Sequence, residues 1–161
     1  MKKEKRMKYK GTMLVVTDIE ASITFYTKVL GVRVVSDLGM NVTFTGGFSA
    51  QTEESWSEFT NCDPSFFKYQ GNVVELYFEE EDFDGFISKL NSLGVSIIGE
   101  EATMPWGQKV IRFYDPDKHI IEVGEDITVM IKRLHEEGLT VDQLAEKTFM
   151  KKGIIERMLE K

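Results

Sequence analysis

Residues 15–35 read VVTDIEASITFYTKVLGVRVV, and residues 76–98 read LYFEEEDFDGFISKLNSLGVSII. The two stretches follow one plan: an apolar strand, an acidic cap, an amphipathic helix closed by Leu-Gly-Val, and a second apolar strand. Asp18 stands where an N-cap belongs, ahead of Ile19, Ile23, Phe25, Tyr26, Val29 and Leu30, which fall mostly on one helical face before Gly31 closes the helix. Asp82 or Asp84 opens the corresponding helix over 83–93, and Gly94 closes it. Strands are expected at 13–17, 32–36, 41–45 and 48–51 in the first copy. The second copy places them at 73–79, 95–98, 108–114 and 120–124, with Asp115-Pro116-Asp117 as the last turn. One curved sheet with one helix cannot bury its apolar face alone, so the two copies are expected to pack together, with the functional site where they meet.

Working outward, the periodicity fades over 53–71, which reads as a connector that is nonetheless rich in rings: Trp56, Phe59, Phe66, Phe67 and Tyr69. Residues 1–10 read as a basic arm. After Glu125 the spacing becomes helical over 127–136, 141–147 and 152–159, with Gly138 as a separator and Thr140 as an N-cap. The expected class is α+β, with a domain over 1–125 followed by a helical tail over 126–161. Within the domain, module one covers about 11–52, the connector 53–71 and module two 72–125.

Composition bounds the function. The chain has 161 residues, 42% of them hydrophobic and 29% charged, which suits a globular domain with a proper core. A net charge of −7 argues against a polyanionic partner and favours a neutral or cationic small ligand. No apolar run approaches the roughly 20 residues that span a bilayer, and the basic start MKKEKRMKYKG is followed by no apolar signal region, so no membrane partner and a cytoplasmic location are expected. Cys62 is the sole cysteine and has no partner for a disulfide or a zinc cluster.

The βαβββ plan written twice, with FYTKVLG at 25–31 and DPDKHIIEV at 115–123, resembles the vicinal oxygen chelate superfamily. That group includes glyoxalase I, the bleomycin-resistance proteins and the extradiol dioxygenases. The resemblance covers about residues 13–125 and implies two βαβββ modules forming a curved sheet of the glyoxalase/bleomycin-resistance kind. In metal-using members, as the resemblance implies, ligands come from the first and last strands of each module. Carried over, those positions fall near Gly11, Gln51, Glu75 and Glu122. Gly11 offers no side chain and the set holds no histidine, so the chain resembles the members that lack the metal-binding histidines. Borderline cations prefer nitrogen ligands, so no cofactor is expected; the alternative is a divalent metal ion on Gln51, Glu75 and Glu122.

The expected ligand-binding residues are Gln51, Trp56, Glu75, Tyr77, Trp106 and Glu122. Tyr77 shares a strand face with Glu75, and period two alone leaves open which face is concave. Trp56 and Trp106 would supply aromatic walls for a flat or cationic molecule. His119 is expected to face outward from its turn, and His135 lies in the tail. The expected function is binding of a small cationic or aromatic molecule by a homodimer, without metal. The alternative is a metal-dependent lyase, isomerase or dioxygenase of the glyoxalase type. A third reading follows from GLTVDQLAEKTFMKKGIIERML at 138–159, which resembles a helix-turn-helix and would make the protein a ligand-responsive DNA-binding regulator; the acidic body speaks against nucleic acid as a partner.

Overall fold

The computed structural model describes residues 9–160; of the basic arm read at 1–10, residues 1–8 lie outside the described residues. Two compact units divide between Tyr69 and Gln70.

The first unit runs β1 (Thr12–Val16), α1 (Ile19–Val29), β2 (Val34–Asp37), β3 (Asn41–Phe44), β4 (Phe48–Thr52) and α2 (Glu53–Thr60), followed by a 3-10 turn at Pro64–Phe66. Its sheet has the order β1-β4-β3-β2, with β1 parallel to β4 and the other pairs antiparallel. Asp18 caps α1 by accepting the Ala21 N–H at 3.0 Å. Alternation sends Leu14, Val16, Val42, Phe44, Phe48 and Ala50 to one buried face, where Tyr26 of α1 lies 5.2 Å from Phe44 and 5.1 Å from Phe48 between ring centroids.

Two expectations change in this unit. β2 starts two residues later than read, because Arg33 is held by Thr45 and a bulge falls between Val34 and Ser36. The stretch 53–71 is not an irregular connector: Thr52 accepts the Ser55 N–H and starts α2, and Asn61 ends it in the left-handed conformation. Hydroxyls and carboxylates crowd this helix, so its apolar period is weak. Its rings nevertheless cohere, with Trp56 stacked on Phe66 at 5.6 Å and edge-on to Phe67 at 5.0 Å.

The second unit repeats the plan as β5 (Glu75–Glu80), α3 (Phe83–Leu93), β6 (Ile97–Thr103), β7 (Lys109–Tyr114) and β8 (Ile120–Glu125), in the order β5-β8-β7-β6 with β5 parallel to β8. Asp82 is the cap of α3, whereas Asp84 pairs with Lys109. β5 leaves out Val73 and Val74, which are exposed, and β6 runs five residues further than read, across a bulge between Ile98 and Ala102. Phe86 of α3 packs on Phe113, which places Phe113, Ile121, Ile111 and Val123 on the helix-covered face.

The tail forms α4 (Ile127–Glu136), α5 (Val141–Thr148) and α6 (Lys152–Leu159). Met130, Ile131, Leu134, Leu144 and Ile155 close a small core of their own. Asp126 caps α4, and Thr140 with Gln143 forms a capping box on α5. The turn between α5 and α6 opens with Phe149 at φ 58°. These helices belong to the second compact unit. Among the described residues no helix is long and apolar enough to cross a membrane.

Candidate functional site

Sheet register settles the face that period two left open. Lateral partners share a face, so Glu75, Tyr77 and Glu79 of β5 lie with Ile120, Glu122 and Gly124 of β8 and with Arg112 of β7, opposite the face that α3 covers. Arg112 lies between the two carboxylates: its Nε donates to Glu75 Oε2 at 3.2 Å, and a terminal nitrogen pairs with Glu122 Oε2. Glu122 is only 7% exposed. Burial pushes its carboxyl above the ordinary range; the Arg112 charge opposes that shift, and Glu75 adds to it.

A second chain of hydrogen bonds adjoins this cluster. Trp106 Nε1 donates to Gln108 Oε1 at 3.0 Å, Gln108 Nε2 donates to the Tyr77 hydroxyl at 2.7 Å, and that hydroxyl donates to Glu79 Oε1 at 3.0 Å. Gln108 is buried, and its amide also reaches the Glu125 carbonyl at 2.8 Å. Gly124 makes room for this: a Cβ there would stand 2.6 Å from Gln108 Nε2 and 3.0 Å from the Tyr77 oxygen. Burial raises the Tyr77 phenol to about 12; the Gln108 donation holds it back, and Glu79 raises it further. Tyr77 therefore stays a neutral donor at physiological pH. Tyr77 is 47% exposed and Trp106 39%, so both residues offer surface on this side of the second unit.

The first unit carries a neutral counterpart at matched register. Val15 pairs with Gln51 and Gln51 with Asn41, as Tyr77 pairs with Glu122 and Glu122 with Arg112. Asn41 Nδ2 reaches Gln51 Oε1 at 3.3 Å and Met13 Sδ at 3.8 Å. Met13 therefore matches Glu75, two residues from the Gly11 position assigned above. Gly11 serves the backbone instead, since a Cβ there would lie 2.3 Å from the Gly47 carbonyl oxygen, and its absence lets two chain segments pass closely.

Of the six expected site residues, the structure brings together Glu75, Tyr77, Trp106 and Glu122. Gln51 and Trp56 belong to the first unit, where Gln51 is held by Asn41 and Trp56 by Phe66 and Phe67. His119 does not face outward; its Nδ1 lies 2.7 Å from Oδ2 of the buried Asp115 and pins the turn before β8. Sequence reasoning missed Arg112, Gln108 and Glu79. Glu79 was legible, two residues from Tyr77 on the same strand face. Arg112 was legible only once the turn at 115–117 sets the register that pairs it with Glu122.

Two members of the metal ligand set implied by the resemblance, Glu75 and Glu122, are already paired with Arg112. The guanidinium already holds a positive charge between Glu75 and Glu122, so a divalent ion there would meet a fixed cation instead of a third ligand. Among the described residues no group of three or more His, Cys, Asp or Glu side chains could hold a metal ion.

The comparisons with known proteins agree with this topology. A glyoxalase-like domain model matches residues 9–128. A protein of unknown function from Agrobacterium tumefaciens str. C58 is 33% identical over 76% of this chain and 97% of its own, with a TM-score of 0.66. A glyoxalase/bleomycin resistance protein/dioxygenase from Nocardioides is 23% identical over 77% of this chain and 86% of its own, at 0.62. A lactoylglutathione lyase from Agrobacterium tumefaciens is 20% identical over 75% and 95%, at 0.56; these last two likenesses concern the fold. No curated protein matches the sequence. The matched domain ends at residue 128, so α4–α6 lie almost wholly beyond it.

Proposed function

The chain belongs to the glyoxalase-like domain family of the vicinal oxygen chelate superfamily, and from that premise we propose that it binds a small planar cation on the open face of its second unit, without metal. The observation that carries the reading is the charge balance of that face. Glu75, Glu79 and Glu122 share that face with Arg112 and Tyr77, and Gln108 links the Tyr77 hydroxyl to the Trp106 indole. A flat cation gains twice there, from ring faces and from carboxylates that Arg112 neutralises only in part. The chain's net charge of −7 points the same way. The protein is taken as a cytoplasmic homodimer.

The test is a fluorescence titration with a planar cationic dye and with its neutral analogue. The cation should quench Trp106, and the neutral compound should bind more weakly. Glu75→Gln should weaken the cation roughly tenfold, about 1.4 kcal/mol, and Trp106→Phe should remove the quenching. Silence across a broad panel of cations would end this reading. The rival, a metal-dependent lyase, isomerase or dioxygenase of the glyoxalase type, would be favoured by stoichiometric nickel, zinc or iron in purified protein that is lost in Glu122→Gln. A DNA mobility shift that survives physiological salt would favour the regulator reading.

A further inference from the structure

The three C-terminal helices lie beyond the matched domain, yet the second unit ties them to the loop that carries the binding face. Arg133 of α4 makes a two-nitrogen fork to the buried Glu125, with Nε to Oε1 at 2.8 Å and a terminal nitrogen to Oε2 at 2.7 Å. The same terminal nitrogen donates to the Gly107 carbonyl oxygen at 2.8 Å. Gly107 stands between Trp106 and Gln108, and the backbone carbonyl of Glu125 receives the Gln108 amide. One guanidinium therefore holds both the loop backbone and the strand end that anchor Gln108, the residue that links the Trp106 indole to Tyr77. Packing supports the same contact: a Cβ at Gly107 would stand 2.8 Å from Leu134 Cδ1 and 3.2 Å from Lys147 Cε, so the loop lies directly on α4 and α5.

We infer that α4 of the tail supports the ligand site through Arg133, the positioning residue that sets Trp106 and Gln108 against Tyr77. The inference rests on the binding face proposed above and deepens it by giving the tail a role there. The fork is specific to arginine. A lysine keeps the charge and can reach Glu125, but it has one nitrogen to divide between that carboxylate and the Gly107 carbonyl. Tail and face are then coupled in both directions, because whatever fixes the loop fixes both.

The test reads the loop without needing the natural ligand. In nitrogen-15 labelled protein the two tryptophan indole N–H signals are assigned with Trp106→Phe, and wild type is compared with Arg133→Ala and Arg133→Lys. Met158→Ala serves as control, since it loosens the tail core but keeps the fork. In both Arg133 variants the Trp106 indole signal should move and its exchange with solvent should speed up roughly tenfold or more, while the Trp56 signal stays in place. Met158→Ala should leave both signals unmoved and the affinity for the cationic dye unchanged, whereas that affinity should fall roughly tenfold in Arg133→Lys. A Trp106 signal unchanged in Arg133→Lys, or moved equally in Met158→Ala, would overturn the inference; if Arg133→Ala does not fold, the lysine variant decides. Should the wild type bind no cationic dye, the functional reading fails while the indole signals still decide the role of Arg133.

Discussion

Arg112 brings one positive charge to a face with three carboxylates, and the two partners it holds differ in consequence. Glu122 is buried and its pKa lies above the ordinary 4.5. A carboxyl raised by folding stabilises in its protonated form, so its contribution is complete below about 4.5 and is lost as pH rises through the raised value. Glu122→Gln copies the protonated form. In urea unfolding it should equal or exceed wild type at pH 7, and the gap should close as pH falls through the raised pKa. Arg112→Gln instead leaves Glu75 and Glu122 facing each other and should cost about 2 kcal/mol at pH 7, a figure discounted for the partial exposure of Arg112. That cost should shrink as pH falls and Glu122 takes up a proton. A pH-independent difference between Glu122→Gln and wild type would refute the account. None of this was legible from the alternating pattern of β5 alone, because the identity of the third strand's residue beside Glu122 depends on register.

At the scale of elements, local signals were legible where they are chemical and obscure where they are collective. Asp18, Asp82 and Thr140 were readable as caps, since a short polar side chain ahead of an apolar helical period has few other uses. α2 was missed because its stability rests on the Thr52 cap and on rings from the following segment rather than on its own apolar stripe. The turn between α5 and α6 shows the opposite case. Phe149 takes a left-handed conformation at φ 58° while 93% exposed, so it bears the steric cost of that region without burying its ring. Phe149→Gly should raise stability by about 1 kcal/mol, read as a higher urea midpoint at unchanged slope. A lower midpoint would mean that the ring has a packing partner.

At the scale of the whole molecule, the proposed homodimer has a physical motive in each unit taken separately. β2 is an edge strand with exposed Val34 and Val35, followed by exposed Leu38 and Met40, and Val73 and Val74 are exposed ahead of β5. Apolar side chains at unpaired strand edges favour pairing with another chain. Sedimentation equilibrium at micromolar concentration should return twice the 18.5 kDa chain mass, and a stable 18.5 kDa species would rule the dimer out. The sequence by itself determined the duplicated βαβββ plan, the helix caps and the family resemblance, because strand and helix periods and capping residues act over a few positions and repeat visibly in the two copies. Only the tertiary structure decided that Arg112 bridges Glu75 and Glu122, that Met13 rather than Gly11 matches Glu75, and that Arg133 of the tail holds the Trp106 loop. Arg112 meets Glu75 across 37 positions of chain and Arg133 meets Gly107 across 26, through strand register in one case and helix docking in the other, and no local period encodes either.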